Sequence, residues 1–131
     1  MKYSDKVLNE FFNPQNVGVI KGAHGKGKIV NEENREIMKI YISLEGETIV
    51  DAQFQTFGCP ATIACCSVAT RLIIGKTLSE AEKLTEKEIL NELDCLPENK
   101  KHYLTMAVET VKDAVDACRN KEKSKKDEDD D

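Results

Sequence analysis

Two runs of alternating apolar residues, joined by a short turn, lead straight into a segment that is apolar on almost every side. From Glu36 to Leu44 the apolar positions are Met38, Ile40, Ile42 and Leu44. After a turn at Glu45-Gly46-Glu47, the alternation resumes from Ile49 to Phe57, with Val50, Ala52 and Phe54 facing inward. A period of two belongs to a strand with one buried face, so the region predicts a β-hairpin, with a third strand near Lys28 to Val30. Beyond Gly58-Cys59-Pro60, residues Ala61 to Ile74 predict a buried central helix that ends at Gly75. Strands first and helices after imply an α+β domain, a small antiparallel three-stranded sheet packed against several helices.

The flanking segments supply the other helices. Tyr3, Val7, Leu8, Phe11 and Phe12 recur at helical spacing, with Ser4 as cap. Residues 4–12 therefore predict a short amphipathic helix, stopped by Asn13-Pro14. Gly18, Gly22, Gly25 and Gly27 predict a loop or irregular strand that contains His24. Between Thr77 and Asp94, the patterns Ser79-x-x-Glu82 and Thr85-x-x-Glu88 predict two short capped helices. Leu96-Pro97 breaks the chain, and Leu104, Ala107, Val108, Val111, Val115 and Cys118 form the stripe of a long last helix. From Lys121 the sequence turns to lysines and then to Asp127-Glu128-Asp129-Asp130-Asp131. The expected organisation is one domain over residues 1–120 and a charged, disordered tail over 121–131.

A chain of 131 residues is long enough for one substantial core. Its net charge of −5 argues against a nucleic-acid surface, which needs a basic face. No stretch is long and apolar enough to span a bilayer, and Met1 to Asp5 has no apolar signal core. Five cysteines without a framework-like spacing suit a reducing compartment, so a soluble, cytoplasmic protein is expected.

Among those cysteines, Cys59 stands where strand pattern gives way to helix pattern, in Thr56-Phe57-Gly58-Cys59-Pro60-Ala61-Thr62. Glycine permits a tight turn, proline suits the first helical position, and a thiol there faces unpaired N–H groups at the positive end of a helix dipole. Such a setting favours thiolate, the form that binds metal or accepts sulfur. Cys65, Cys66 and Cys118 fall on apolar helix positions and are expected to pack as small hydrophobes, with Cys95 idle at a helix end.

Tyr3-Ser4-Asp5-Lys6-Val7-Leu8 and Asn13-Pro14-Gln15-Asn16-Val17-Gly18 together resemble the opening of NifU/IscU-type iron–sulfur cluster assembly scaffolds. Asp51 to Cys59, Ala61-Thr62-Ile63-Ala64, Ser67-Val68-Ala69-Thr70, Gly75-Lys76-Thr77-Leu78 and Leu96-Pro97 ahead of His102 follow in the same order, so the resemblance covers residues 2–119. In that family three cysteines, an aspartate and a histidine converge at one exposed end of the domain, where a [2Fe-2S] cluster is built or zinc is held. The resemblance implies that Asn34 and Glu36, within Glu33-Asn34-Arg35-Glu36, stand at the places of the first cysteine and the aspartate. It keeps the second cysteine as Cys59 and the histidine as His102, and it puts Tyr103 where the third cysteine stands. This chain is thus a divergent member lacking two of the three cysteines.

The resemblance implies a scaffold or carrier rather than an enzyme, one that docks on a cysteine desulfurase and serves a downstream apo-protein or other sulfur acceptor. Cys59 would accept sulfur or ligate iron, with His102 and Glu36 as auxiliary ligands for iron or a [2Fe-2S] cluster. One thiolate, one imidazole and one carboxylate also suit zinc, and a homodimer could share a cluster through Cys59 and His102 of each chain. The family's DnaK-type chaperone reads a Leu-Pro-Pro-Val-Lys segment, which here is Leu96-Pro97-Glu98-Asn99-Lys100. Two other readings stay open. One is a sulfur-relay or adaptor protein that takes persulfide on Cys59 and never holds a cluster; the other is a zinc-binding interaction module.

Overall fold

A computed structural model describes residues 3–120, so the expected tail over 121–131 lies outside the described residues. The elements run α1 (Asp5–Phe12), β1 (Gly25–Asn31), β2 (Glu36–Glu45), β3 (Thr48–Phe57), α2 (Pro60–Ile73), α3 (Leu78–Ala81) and α4 (Glu86–Leu93). A 3₁₀ turn at Glu98–Lys100 and α5 (His102–Arg119) complete them. The strands form one antiparallel sheet in the order β1-β2-β3, the α+β arrangement the alternation predicts.

The inner face of the sheet lies under α2, which packs on β3, and α5, which packs on β1 and β2. Met38, Ile40 and Ile42 are fully buried there, as are Ile49 and Ala52 with Phe54 beside them. Val50 departs from the alternation and stays 49% exposed, while Ile49 takes the inward place. Ser43 pairs with Asp51 and Leu44 with Ile49, so Val50 is the extra residue of a bulge that resets the pattern. Gly25 and Gly27 belong to β1 rather than to a loop. They let α5 lie directly on the strand: a β-carbon on Gly27 would stand 2.2 Å from the Thr110 carbonyl oxygen, and one on Gly25 2.5 Å from that of Ala114.

Local capping follows elementary rules with one correction. The Ser4 hydroxyl accepts the Val7 N–H at the start of α1, and Thr85 and Glu88 form the expected capping box of α4. The box of α3 is Thr77 with Glu80, not Ser79 with Glu82. Gly75 turns the chain at φ +92, which leaves Thr77 as the last extended residue before the helix. Glu82 instead pairs with Arg119 of α5.

The segment Asn13 to Gly18 ties α1 to the rest. The Phe54 N–H donates to the Asn16 carbonyl at 2.8 Å, and the Gly18 N–H to the Phe54 carbonyl at 2.9 Å, beside a parallel bridge between Val17 and Phe54. Lower on the same edge of β3, the Ile49 N–H donates to the Lys76 carbonyl at 2.8 Å. On the opposite edge of the sheet, the Lys28 N–H of β1 donates to Asp113 Oδ2 of α5 at 2.9 Å.

Beside α1, the Gln15 N–H and the Glu10 carboxylate both meet the Ser67 hydroxyl, at 2.8 and 2.7 Å. Arg71 bridges that carboxylate, at 2.6 Å, to Glu92 of α4, at 2.9 Å. Removing the guanidinium leaves the nearly buried Glu10 without its cation. Because Arg71 itself is partly solvated, Arg71→Ala is expected to cost about 1–2 kcal/mol, below the toll of a fully buried pair. A denaturant midpoint checks this, with Arg71→Lys recovering only part of the loss, since a point charge cannot bridge both carboxylates.

Candidate functional site

Cys59 caps α2, with φ −85 and ψ 175, and Pro60 opens the helix behind it. The Thr62 N–H donates to the Cys59 carbonyl at 3.0 Å, and Cys59 Sγ lies 3.5 Å from Thr62 Oγ1. The half-buried thiol would be held up by desolvation. That effect is outweighed by the Thr62 hydroxyl, the N–H groups of Thr62 and Ala61 and the Tyr3 hydroxyl, so its pKa falls below the ordinary 9.0. Tyr3 answers in the opposite sense: burial first, then its bond to Cys59 and the charge there, push its hydroxyl up to about 12.

The other cysteines are not comparable. Burial, reinforced by the Cys59 charge, pushes Cys65 far up, and burial with Cys65 beside it does the same to Cys66. Burial takes Cys118 up to about 11, and Cys95 is exposed at the end of α4. His24 is accounted for by the backbone, its Nδ1 accepting the Leu44 N–H at 3.0 Å.

Glu36 opens β2 and is buried, and the Tyr103 hydroxyl lies 2.5 Å from each of its carboxylate oxygens. Burial, the bond to Glu36 and the charge of Cys59 hold the Tyr103 hydroxyl well above its ordinary pKa. Gly58 packs closely against both Thr62 and Glu36. A β-carbon there would meet Thr62 Oγ1 at 2.5 Å and Glu36 Oε2 at 3.0 Å.

His102 opens α5, exposed, with its ring centroid 4.0 Å from that of Tyr103. It borders an open groove of about 430 Å³ lined also by Val30, Glu33, Met106 and Glu109. Asn34 sits exposed in the turn between β1 and β2, next to Arg35 with its positive φ of 57. Among the described residues, no three His, Cys, Asp or Glu side chains gather closely enough to hold a metal ion. Cys59 and Glu36 thus share one end of the sheet, with Tyr103 between them, and His102 flanks that tyrosine from the surface.

The sequence pointed to Cys59 but not to its donors. Thr62 was detectable, since a residue three places after a cap is the first to face it across a helical turn. Tyr3 carries no local signal, because it lies ahead of α1 and far in sequence from the cap of α2. The Thr62 hydroxyl is the donor whose removal is simplest to read. In Thr62→Val the thiolate loses a hydrogen bond, so the Cys59 pKa should rise and alkylation near neutral pH should slow several-fold. A pH profile of iodoacetamide labelling checks both the direction and its confinement to Cys59.

A family model described as the NifU-like N terminal domain matches residues 2–125, and the chain belongs to that family. Among its relatives, the iron-sulfur cluster assembly scaffold protein IscU 1 of Archaeoglobus fulgidus is 42% identical over 113 residues, covering 86% of this chain and 74% of that protein. The iron-sulfur cluster assembly scaffold protein IscU of Rickettsia prowazekii is 37% identical over 131 residues, 97% of this chain and 99% of its own. Among solved structures, the N-terminal region of a nitrogen-fixing NifU-like protein from Brucella abortus has a TM-score of 0.74. It covers 89% of this chain and 94% of that one at 13% identity, an agreement of fold alone.

Proposed function

We propose that this chain is a scaffold or carrier in iron–sulfur cluster assembly that receives sulfur, and then iron, at Cys59. The observation that carries the reading is a half-buried thiol of lowered pKa at the positive end of α2. It stands in a chain whose relatives, 42% and 37% identical over most of its length, are named scaffold proteins.

Sulfur comes from a cysteine desulfurase docked at this end of the domain. The Cys59 thiolate attacks the outer sulfur of the donor's cysteine persulfide. A new S–S bond forms on Cys59 as the donor's S–S bond breaks, and the electron pair leaves on the donor thiolate, so the exchange needs no added oxidant or reductant. His102 and Glu36 serve as auxiliary ligands when iron follows, which requires both to move toward Cys59, since the three do not gather in this structure. The loaded sulfur and iron pass to a downstream apo-protein. The chain supplies a platform, and the bond-making enzyme is its partner. It works in the cytoplasm, where thiols stay reduced.

The test is anaerobic incubation of the full chain with a cysteine desulfurase, cysteine and ferrous iron, followed by assay of protein-bound iron and sulfide. Matched iron and sulfide with visible absorbance are expected. If neither is retained, the scaffold reading fails. A persulfide adduct on Cys59 in that sample would then support the second reading, a sulfur relay, which the engagement of Glu36 by Tyr103 favours. Retention of zinc alone would leave an interaction module.

A further inference from the structure

The Glu36 carboxylate, which faces the residue next to Cys59, is already occupied. Glu36 and Tyr103 are both buried, and the tyrosine hydroxyl reaches the two carboxylate oxygens equally, 2.5 Å from each. A hydroxyl has a single proton, so this is one proton shared across the mouth of the carboxylate, on the side where a cation would be chelated. The same carboxylate presses against Gly58, with Oε2 3.0 Å from the place of a β-carbon, and thus faces the residue next to Cys59. Iron bound to Cys59 would compete with the Tyr103 hydroxyl for that mouth of the carboxylate.

We propose that Tyr103 is the specificity-determining residue of this site: its hydroxyl clamps Glu36 and withholds the carboxylate from iron bound at Cys59. The proposal rests on the reading of Cys59 as the residue that handles sulfur and iron. Release of the clamp requires another acceptor, since a buried hydroxyl without a partner is costly. The clamp therefore keeps Glu36 engaged as long as the Tyr103 hydroxyl has no other partner.

The experiment is an anaerobic competition titration of ferrous iron between the full chain and a chromophoric chelator. Tyr103→Phe keeps the ring and removes the hydroxyl, and it should bind iron about tenfold more tightly than the wild type, the worth of one hydrogen bond to a charged group. Adding Glu36→Gln to Tyr103→Phe should abolish that gain, which a general loosening of the core would not do. Tyr103→Leu, also without the hydroxyl, carries the same expectation if the phenylalanine variant does not fold. Iron affinity unchanged in these variants, or a gain that survives Glu36→Gln, overturns the clamp. The reading of Cys59 is judged separately by Cys59→Ser in the same titration. Wild-type affinity in Cys59→Ser would sink that reading while the tyrosine comparison still decides the clamp.

Discussion

Cys59→Ser is expected to bring the chain's sulfur and iron loading down to that of an unrelated control protein. A serine hydroxyl ionises far above any working pH, cannot carry sulfane sulfur, and is a hard donor where iron–sulfur chemistry favours thiolate. No buried cysteine can take over. Cys65 and Cys66 lie inside α2 with their pKa values driven upward by burial, so neither supplies thiolate. The fold should survive, because the side chain is only half buried. Stability is expected to change by less than about 1 kcal/mol. Intact-mass analysis of the persulfide, with iron and sulfide assays, checks the loss. Retained sulfur would move the acceptor to another thiol, with Cys95 the exposed one to be tested next.

Gly27→Ala is expected to be the most destabilising single-methyl change in the domain. The added carbon would sit 2.2 Å from the Thr110 carbonyl oxygen and 2.5 Å from the Ala114 N–H nitrogen, both backbone atoms of α5. Flexible side chains can turn aside from such a contact, but a helix backbone can yield only by moving as a body. That movement would unpack Val111, Ala114 and Val115 from the sheet. A loss of about 3 kcal/mol or more is expected, beyond ordinary overpacking and a large share of a typical domain's stability. Gly46→Ala is the control. Its turn is open, nothing lies within 4 Å, and the cost comes from its φ of +65, about 1 kcal/mol. Chemical denaturation of the two variants should separate them clearly. Equal losses would mean that α5 can slide on β1.

Periodicity carried most of the fold because each element obeys its own repeat. Met38, Ile40 and Ile42 alternate over β2, and the stripe from Leu104 to Cys118 follows one helical face. Val50 misleads for a physical reason: a β-branched residue in a bulge looks inward-facing until the register of the partner strand is known. The first capping box is ambiguous in the same way, since Thr77-x-x-Glu80 and Ser79-x-x-Glu82 overlap. Only the turn at Gly75 decides which threonine or serine is extended. Within the site, Cys59 was legible because glycine, cysteine and proline at a strand end constrain the backbone locally. The bond between Glu36 and Tyr103 joins residues 67 apart in sequence, and no local pattern encodes that meeting.

The two edges of the sheet have a consequence for how this chain meets others. A three-stranded sheet exposes two rows of backbone donors and acceptors, each a template for pairing with a neighbouring molecule. Here β3 has its outer groups taken by Asn16 and Gly18 at one point and by Gly75 and Lys76 at another. On β1 the Asp113 carboxylate holds the Lys28 N–H, and lysines stand at positions 26 and 28. Strand addition and cross-β aggregation are thereby discouraged at both edges. Partners of the proposed scaffold would then meet the helix ends and the cysteine, where contacts can form and dissolve without unravelling the sheet.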